Sequence, residues 1–240
     1  MNAVGFPGGT SVTRLSVYPD RCADGLAGGT PHLHTASTEA YVVIGGRGVL
    51  QTLDPAGLRE TPLRPGSTVW FTPGTIHRAV NEGDLQVIVV MQNAGLPEAG
   101  DAVMTFPPEI VADPHRYRAA AALPVDACPE QIEQAVRRRR ELAVTGFRRL
   151  VASVRAGDPG ALSDFYDSAA ALVRPLVDGW RQRWRATVAR ETSHTAEVLD
   201  ALERGDGEHL RKATLREAPA SAEARWGMCG RLRTHDVTAD

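Results

Sequence analysis

The sequence predicts a mainly β protein with added helices, in which a single antiparallel β-barrel or sandwich comes first and a helical region follows. Two observations lead to this fold class. Through about residue 123, short runs rich in Val, Ile, Tyr and Trp alternate with Gly, Pro, Asn and Asp, which is typical of antiparallel strands and turns. From Pro129 onward, apolar residues recur at helical spacing. We therefore divide the chain into a barrel over residues 1–123 and a helical region over residues 124–240.

The barrel half contains six predicted strands, each of four to seven residues. Gly45, Gly46 and Gly48 lie between two of them and indicate a turn in which the backbone takes positive φ. The predicted strands cover residues 12–17, 40–44, 48–53, 68–71, 76–80 and 85–91.

The second half predicts helices joined by clear breaks. A Gly-Asp-Pro-Gly sequence at residues 157–160 should stop the first helix, and Pro175 should kink or split the second. Four consecutive arginines, Arg137 to Arg140, lie around the whole circumference of the first helix, so we expect a solvated or ion-paired surface rather than a binding groove. The predicted segments are a linker over 107–129, helices over about 132–154, 161–190 and 195–203, and a returning strand over 226–232.

Composition excludes several classes of function. The chain of 240 residues has a net charge of -2, which predicts no overall attraction to nucleic acid or to an anionic membrane. It contains no apolar run long enough to cross a bilayer and no basic start followed by an apolar stretch. Cys22, Cys128 and Cys229 are odd in number and far apart, which favours a reducing compartment. We therefore expect a cytoplasmic protein that binds neither nucleic acid nor membrane.

The candidate chemistry lies in three histidines and one glutamate. His32 and His34 are two residues apart on an extended segment, so both imidazoles can point to the same side. Glu39 follows after a short turn, and His77 follows a Pro-Gly turn that can lead a strand back across the same cavity. Three neutral imidazoles and one carboxylate suit a divalent transition metal.

Two sequence motifs carry a family resemblance. Residues 29–34 (GTPHLH), followed by Glu39 and Gly46, resemble the first motif of the cupin superfamily, and residues 66–81 (GSTVWFTPGTIHRAVN) resemble the second. The resemblance covers about residues 10–110. It implies a double-stranded β-helix, or jelly-roll, barrel and places the family's metal ligands at His32, His34, Glu39 and His77. The second motif departs once, because Thr72 stands where the family usually has proline.

Such a ligand set leaves room for chemistry if the ion is six-coordinate, because two positions stay open. A tetrahedral zinc would already be saturated by four protein ligands. The pattern therefore favours Fe, Mn, Ni or Co over strictly tetrahedral Zn, and the sequence does not choose among them.

The leading functional prediction is a metal-dependent isomerase acting on a small hydroxy-carbonyl substrate. Residues 46–52 (GRGVLQT), the Pro65-Gly66 turn and residues 77–81 (HRAVN) are similar to the cupin-type phosphoglucose isomerases. That similarity implies a sugar phosphate, Glu39 or a neighbour as base, and Arg47 or Arg78 near phosphate. Both arginines are equally compatible with a surface position.

Two other functions fit the same ligands. An iron-dependent dioxygenase would use the two open positions for substrate and dioxygen. A small-ligand-binding sensor would use the helical half as its effector or dimer surface, although no helix-turn-helix with a basic face is visible.

Aromatic residues near the motifs complete the predicted site. Tyr41 shares the side of Glu39 on a strand, where it could hydrogen-bond substrate or simply fill the core, and we count it with Glu39 as a candidate catalytic residue. Trp70 and Phe71 alternate, so one of them should face the cavity, and we assign Trp70 to substrate binding. Trp180 and Trp184 share one helical face, which favours burial against the barrel or against a second subunit. We accordingly expect a homodimer with a small-molecule substrate.

Overall fold

The computed structural model describes residues 5–158 and 160–237. The strands are β1 (Ser11–Val17), β2 (His32–His34), β3 (Glu39–Asp54), β4 (Gly57–Leu63), β5 (Thr68–Phe71), β6 (Ile76–Met91), β7 (Ala102–Met104), β8 (Arg225–Trp226) and β9 (Gly230–Thr234). They form one nine-stranded sheet that folds into a barrel. Six strands follow one another in the order β4-β3-β6-β1-β9-β8, while β2 pairs with β6 and β7, and β5 pairs with β3. The predicted jelly-roll barrel with a following helical region is confirmed.

Two long strands, β3 and β6, replace four of the predicted short ones. They pair along nearly their whole length, with register shifts around Gly45 and Arg47. At the bend, Gly46 has φ +68°, and a Cβ there would come within 2.2 Å of the Asp84 carbonyl oxygen. Only glycine tolerates both the conformation and the close approach, so the glycine cluster marks a bulge inside one strand rather than a turn between two.

The helices cover one side of the barrel. They are α1 (Pro108–Val111), α2 (Pro114–Ala121), α3 (Pro129–Arg155), α4 (Gly160–Val173), α5 (Val177–Trp184) and α6 (Arg190–Glu203). Pro175 lies in a 3₁₀ turn, Arg174–Leu176, so it interrupts the second predicted helix as expected. A π-helical turn, Arg185–Ala189, joins α5 to α6. Pro159, part of the predicted stop signal, lies outside the described residues. None of the described helices combines the length and apolar character needed to cross a membrane.

Two hydrophobic cores lie on opposite faces of the sheet. The inner core fills the barrel and includes Leu15, Tyr41 and Val87. The outer core lies between the sheet and the helices, where Leu33, Leu53 and Ile76 pack against side chains of α3, α4 and α5. The helical region is therefore part of the barrel's packing rather than a separate unit.

Helix α3 approaches the sheet closely at one glycine. A Cβ on Gly146 would lie 2.0 Å from the Thr105 carbonyl oxygen, so the helix can only pack this near without a side chain there. The Thr105 hydroxyl donates to the Ala143 carbonyl of α3 at 2.9 Å. Of the four consecutive arginines, Arg139 and Arg140 are buried, so the expected solvated or ion-paired surface is wrong for these two. The Arg139 guanidinium donates to the Gly227 carbonyl, and Arg140 stacks over the Tyr18 ring.

The end of the chain returns to the barrel. Strand β9 pairs antiparallel with β1, with Leu232 opposite Leu15, and β8 pairs with β9. The predicted returning strand is thus a short hairpin that adds to the barrel sheet. The boundary at residue 124 does not separate two independent parts, because the last strands of the second part belong to the sheet of the first.

Candidate metal centre

The four predicted ligands meet inside the barrel. Strand β2 carries His32 and His34, β6 begins one residue before His77, and β3 begins at Glu39. His32 stands directly opposite His77 in the β2–β6 pairing. One donor atom from each of the four side chains lies within 4.8 Å of all the others, and the four residues are only 0–7 % exposed. The structure therefore brings together every ligand that the sequence predicted.

The outer nitrogens of the three rings are fixed by the surrounding backbone and one carboxylate. His32 Nδ1 lies 2.8 Å from the Thr30 carbonyl oxygen, and His77 Nδ1 lies 3.1 Å from that of Thr75. Because a carbonyl oxygen only accepts, Nδ1 must carry the proton in both rings. Each neutral ring then has its unprotonated Nε2 free for a metal, which is the usual arrangement of metal-binding histidines.

Asp101 holds the third ring and is absent from the sequence prediction. Its Oδ2 lies 3.3 Å from His34 Nδ1. Its Oδ1 accepts hydrogen bonds from the backbone N–H groups of Thr35 and Ala36 and from the Thr35 hydroxyl, at 2.7–2.9 Å. Asp101 directly precedes β7, whose pairing with β2 brings it to His34. Only knowledge of that pairing could have identified it, since no motif spacing connects the two residues.

The ionisable groups of the cluster shift one another's pKa values. Burial opposes ionisation of Glu39, yet the neighbouring His77 and His34 hold the pKa of its carboxyl well below the usual range. Burial also disfavours a charged His34, but the Asp101 and Glu39 carboxylates outweigh it and raise the pKa of His34 to about 9. Burial, together with its two histidine neighbours, lowers the pKa of His32 well below normal. In the metal-free protein, a proton on His34 therefore offsets one of the two carboxylate charges beside it, those of Glu39 and Asp101.

The donor atoms fit a metal better than they fit one another. Glu39 Oε2 lies 3.1 Å from both His34 Nε2 and His77 Nε2. His77 Nε2 is buried and has no hydrogen-bond partner among the described residues, which is costly. A metal ion held between the four side chains would give this nitrogen a partner. Three imidazoles and one carboxylate are suitable ligands for a divalent transition metal, so the cluster could hold such an ion.

The wall beside the cluster contains Phe71, Tyr41 and Cys229. The Phe71 ring lies 4.2 Å from the His77 ring, centroid to centroid. The Tyr41 hydroxyl lies 3.8 Å from Cys229 Sγ, and the C-terminal hairpin delivers this cysteine. Burial raises the pKa of Cys229 to about 12 and that of Tyr41 well above normal, so both keep their protons at neutral pH. In the sequence, Cys229 is only one of three distant cysteines, because nothing there ties it to the first motif.

The three predicted substrate contacts lie away from the cluster. In the β3–β5 pairing, Phe71 stands opposite Glu39 and faces inward, so the assignment of Trp70 was wrong: Trp70 is 71 % exposed on the outer face. Arg78 follows His77 and therefore points outward, where it is buried in an ion pair with Asp24. Arg47 is exposed at the bend of β3. Both ends of β3 lie beside the cluster, so Arg47, in the middle of the strand, lies away from it.

Comparison with known proteins agrees with the motifs. Residues 23–92 match the Cupin domain family. No curated protein matches the chain. Among solved structures, a Streptomyces PAC13 variant with uridine is 17 % identical over 39 % of this chain and 65 % of that chain, with a TM-score of 0.30.

Two further solved structures are similarly distant. A candidate sugar phosphate isomerase from Acidithiobacillus ferrooxidans is 30 % identical over 26 % of this chain and 40 % of that chain, with a TM-score of 0.23. A candidate oxalate decarboxylase from Thermotoga maritima is 20 % identical over 34 % of this chain and 64 % of that chain, with a TM-score of 0.28. The chain covers less than two thirds of each of these three proteins. From the family match and the convergence of the four ligands, we conclude that this chain contains a cupin domain, and that its candidate metal centre lies within it.

Proposed function

We propose that this protein is a metal-dependent cupin enzyme that acts on a small oxygenated metabolite. The observation that carries the proposal is the convergence of four buried donor atoms within 4.8 Å, with the outer nitrogens of His32 and His77 bound to carbonyl oxygens. A site organised in this way presents its ligands before the ion arrives, which is how catalytic metal sites are held. When bound, a divalent metal supplies Lewis acidity toward substrate oxygen atoms.

Within this class, we favour isomerisation of a hydroxy-carbonyl compound. The reaction moves one proton from the hydroxyl-bearing carbon to the carbonyl carbon, while the hydroxyl proton passes to the other oxygen, and it needs no external oxidant. Glu39 is ionised and is the predicted proton acceptor, although its low pKa makes it a weak base, whereas Tyr41 and Cys229 keep their protons. The similarity of residues 46–52 and 77–81 to cupin-type isomerases supports the same substrate class.

The first experiment is elemental analysis of the purified protein, followed by turnover assays with aldose and ketose phosphates under anaerobic conditions. In deuterated water, an isomerase that exchanges its proton with solvent incorporates deuterium at the carbon that receives the proton, which proton NMR detects. Anaerobic turnover that is lost in His77→Ala and kept in Trp70→Ala supports the proposal. Oxygen consumption coupled to turnover would instead show a dioxygenase. Tight substrate binding without product would show a binding module.

We also propose that the protein forms a homodimer through the outer face of β3 and β5. Trp70 on β5 is 71 % exposed and Ile44 on β3 is 44 % exposed, both outside the barrel. The tryptophan pair that first suggested a dimer surface contributes less: Trp180 is buried within the chain and donates its indole N–H to the Ala99 carbonyl at 3.0 Å. Light scattering should give a dimer mass for the native protein and a monomer mass for Trp70→Lys. A native monomer would contradict the proposal.

A further inference from the structure

Arg78 follows the ligand His77 directly but lies on the other face of β6, where its side chain is 1 % exposed. Its guanidinium donates to three groups of the segment that precedes β2. Nε donates to the Gly29 carbonyl at 3.2 Å, one Nη donates to the Leu26 carbonyl at 3.3 Å, and the other pairs with the Asp24 carboxylate. Arg78 therefore joins the strand that carries one ligand to the segment that leads into two others.

Residues 24–30, which we call the entry segment, are held most firmly at their last peptide bond, between Gly29 and Thr30. The carbonyl oxygen of this peptide accepts from Arg78 Nε. Its N–H, which belongs to Thr30, donates to the Met228 carbonyl at 2.9 Å. The peptide plane therefore cannot rotate without breaking one of these two hydrogen bonds.

The next carbonyl along the chain holds the ring of a metal ligand. Thr30 O lies 2.8 Å from His32 Nδ1, and this contact leaves His32 Nε2 free for a metal. Thr30 is fully buried and precedes Pro31, whose ring restricts the backbone torsions of both residues. Because so few torsions are free, the direction of the Thr30 carbonyl follows the orientation of the peptide before it.

From these contacts we infer that Arg78 is a positioning residue of the metal centre, because its Nε–H fixes the Gly29–Thr30 peptide and, through the Thr30 carbonyl, the ring of His32. The ion pair with Asp24 anchors the guanidinium but does not itself act on the ligand. This role rests on the proposed metal-dependent function, since His32 is positioned as a ligand. It differs from the predicted contact between Arg78 and a substrate phosphate.

Two substitutions of Arg78 separate the Nε donor from the charge. In Arg78→Gln, the side-chain amide nitrogen stands at the chain position of Nε, whereas the donors to Asp24 are lost. In Arg78→Lys, a methylene group stands at that position, whereas the ammonium group can still pair with Asp24. We expect Co²⁺ affinity to fall about tenfold in Arg78→Lys and to stay within about threefold of the native value in Arg78→Gln.

Two measurements on the full chain follow the metal site and the His32 ring separately. The metal-free protein is titrated with Co²⁺, whose visible absorption reports the number and geometry of its ligands, and competition with a chelating dye gives the affinity. Before metal is added, long-range proton–nitrogen correlation spectra give the tautomer of the His32 ring, whose signals are identified by their loss in His32→Gln. We expect the Nδ1–H tautomer in the native protein and in Arg78→Gln, and a mixture of both tautomers in Arg78→Lys.

Two control variants separate positioning from general effects on the fold. Arg21→Lys changes an exposed arginine that donates to the Gly25 carbonyl of the entry segment at 2.6 Å, far along the segment from Thr30. Leu162→Ala removes packing from the outer core in α4 and lowers stability at a distance from the entry segment. Both variants should keep the native Co²⁺ affinity within about twofold and leave the His32 tautomer unchanged.

Unchanged Co²⁺ affinity and an unchanged His32 tautomer in folded Arg78→Lys would overturn the inference. Equal losses in Arg78→Gln and Arg78→Lys, or losses of the same size in either control, would also overturn it. If Arg78→Lys does not fold, Arg78→Met combined with Asp24→Asn removes the donor together with both charges and carries the same expectation. Failure of the native protein to bind Co²⁺ would contradict the proposed function, whereas the tautomers would still decide the role of Arg78.

Discussion

Strand β2 is buried on both faces, and the two faces are buried for different reasons. His32 and His34 point into the barrel and meet the other ligands, whereas Leu33 between them joins the outer core under the helices. Strand β6 repeats the pattern, because Ile76 packs outward and His77 points inward. Neighbouring side chains of a strand lie on opposite faces. Residues one position apart in these strands therefore serve different purposes, one binding the metal and the next packing in the outer core.

The sharpest way to test this comparison is to change adjacent residues of β6. His77→Ala removes one ligand of four, and we expect metal affinity to fall about 100-fold or more, since even outer hydrogen-bond partners of ligands account for 10–100-fold. Ile76→Ala should instead lower the free energy of unfolding by about 2–5 kcal/mol. Metal content per folded molecule, from elemental analysis, and denaturant unfolding of the metal-free protein measure the two effects.

The comparison fails if the two variants behave alike. Loss of metal in folded Ile76→Ala would mean that outer-core packing sets the ligand geometry. A His77→Ala protein that keeps stoichiometric metal would exclude His77 as a ligand.

Asp101 tests whether the inner face depends on support from outside the four ligands. Asp101→Asn removes the charge that faces His34 Nδ1, and we expect metal affinity to fall about 10–100-fold. Competition with a chelating dye measures the affinity. Asp164→Asn, on the exposed face of α4, is the matched control and should not change it. Equal affinities in the two variants would show that Asp101 serves folding alone.

Two helical glycines test the outer face. Gly146→Ala would place a methyl group 2.0 Å from the Thr105 carbonyl oxygen, and we expect it to destabilise the fold by about 1–3 kcal/mol. Gly179 in α5 has no atom within 4 Å of the same position, so Gly179→Ala should be neutral or stabilising by up to about 1 kcal/mol. The thermal unfolding temperature should fall in Gly146→Ala and should stay unchanged or rise in Gly179→Ala. Unchanged stability in Gly146→Ala would contradict the close helix–sheet contact.

Protons should compete with the metal at His34. In the metal-free protein, this ring has a pKa of about 9, so it is charged at pH 7, while a metal requires Nε2 unprotonated. Metal binding should therefore release about one proton at pH 7 and fewer above pH ~9.5, which calorimetry in buffers of different ionisation enthalpy measures. Because the folded pKa is raised, the stabilisation that His34 gives the metal-free fold is complete below about pH 6.5 and is lost as pH rises through about 9. Equal proton release at both pH values would contradict this assignment.

The ligands on the inner face of the barrel were predicted well, because the spacing of residues close together in the sequence determines which side chains point inward. The alternation of His32 and His34 and the turn before His77 lie within a few residues of the ligands, so the ligand set follows from the motifs. The outer face depends on contacts between distant segments. The sequence could not show that Arg139 and Arg140 are buried, because the segment that packs beside them, β8 and β9, lies about 90 residues later in the chain. It also could not show which of Trp70 and Phe71 faces inward, because that depends on the register of β5 with β3.

Strand lengths were underestimated for a related reason. The glycines of β3 resemble a turn in sequence, but the long partner β6 bends with them, so pairing continues through the bulge. Strand β4 was not predicted, because Pro62 and the polar residues around it lack the composition of a strand. This segment is nevertheless a strand, because residues Gly57 to Leu63 pair with β3.

The return of the chain end to β1 has a practical consequence for anyone shortening this protein. A version that stops after α6 would keep all four ligands but lose β9, and β1 would then present bare backbone N–H and C=O groups along one side. Exposed strand edges of this kind join neighbouring molecules into aggregates. Residues 225–234 should therefore be retained in any fragment intended to stay monodisperse.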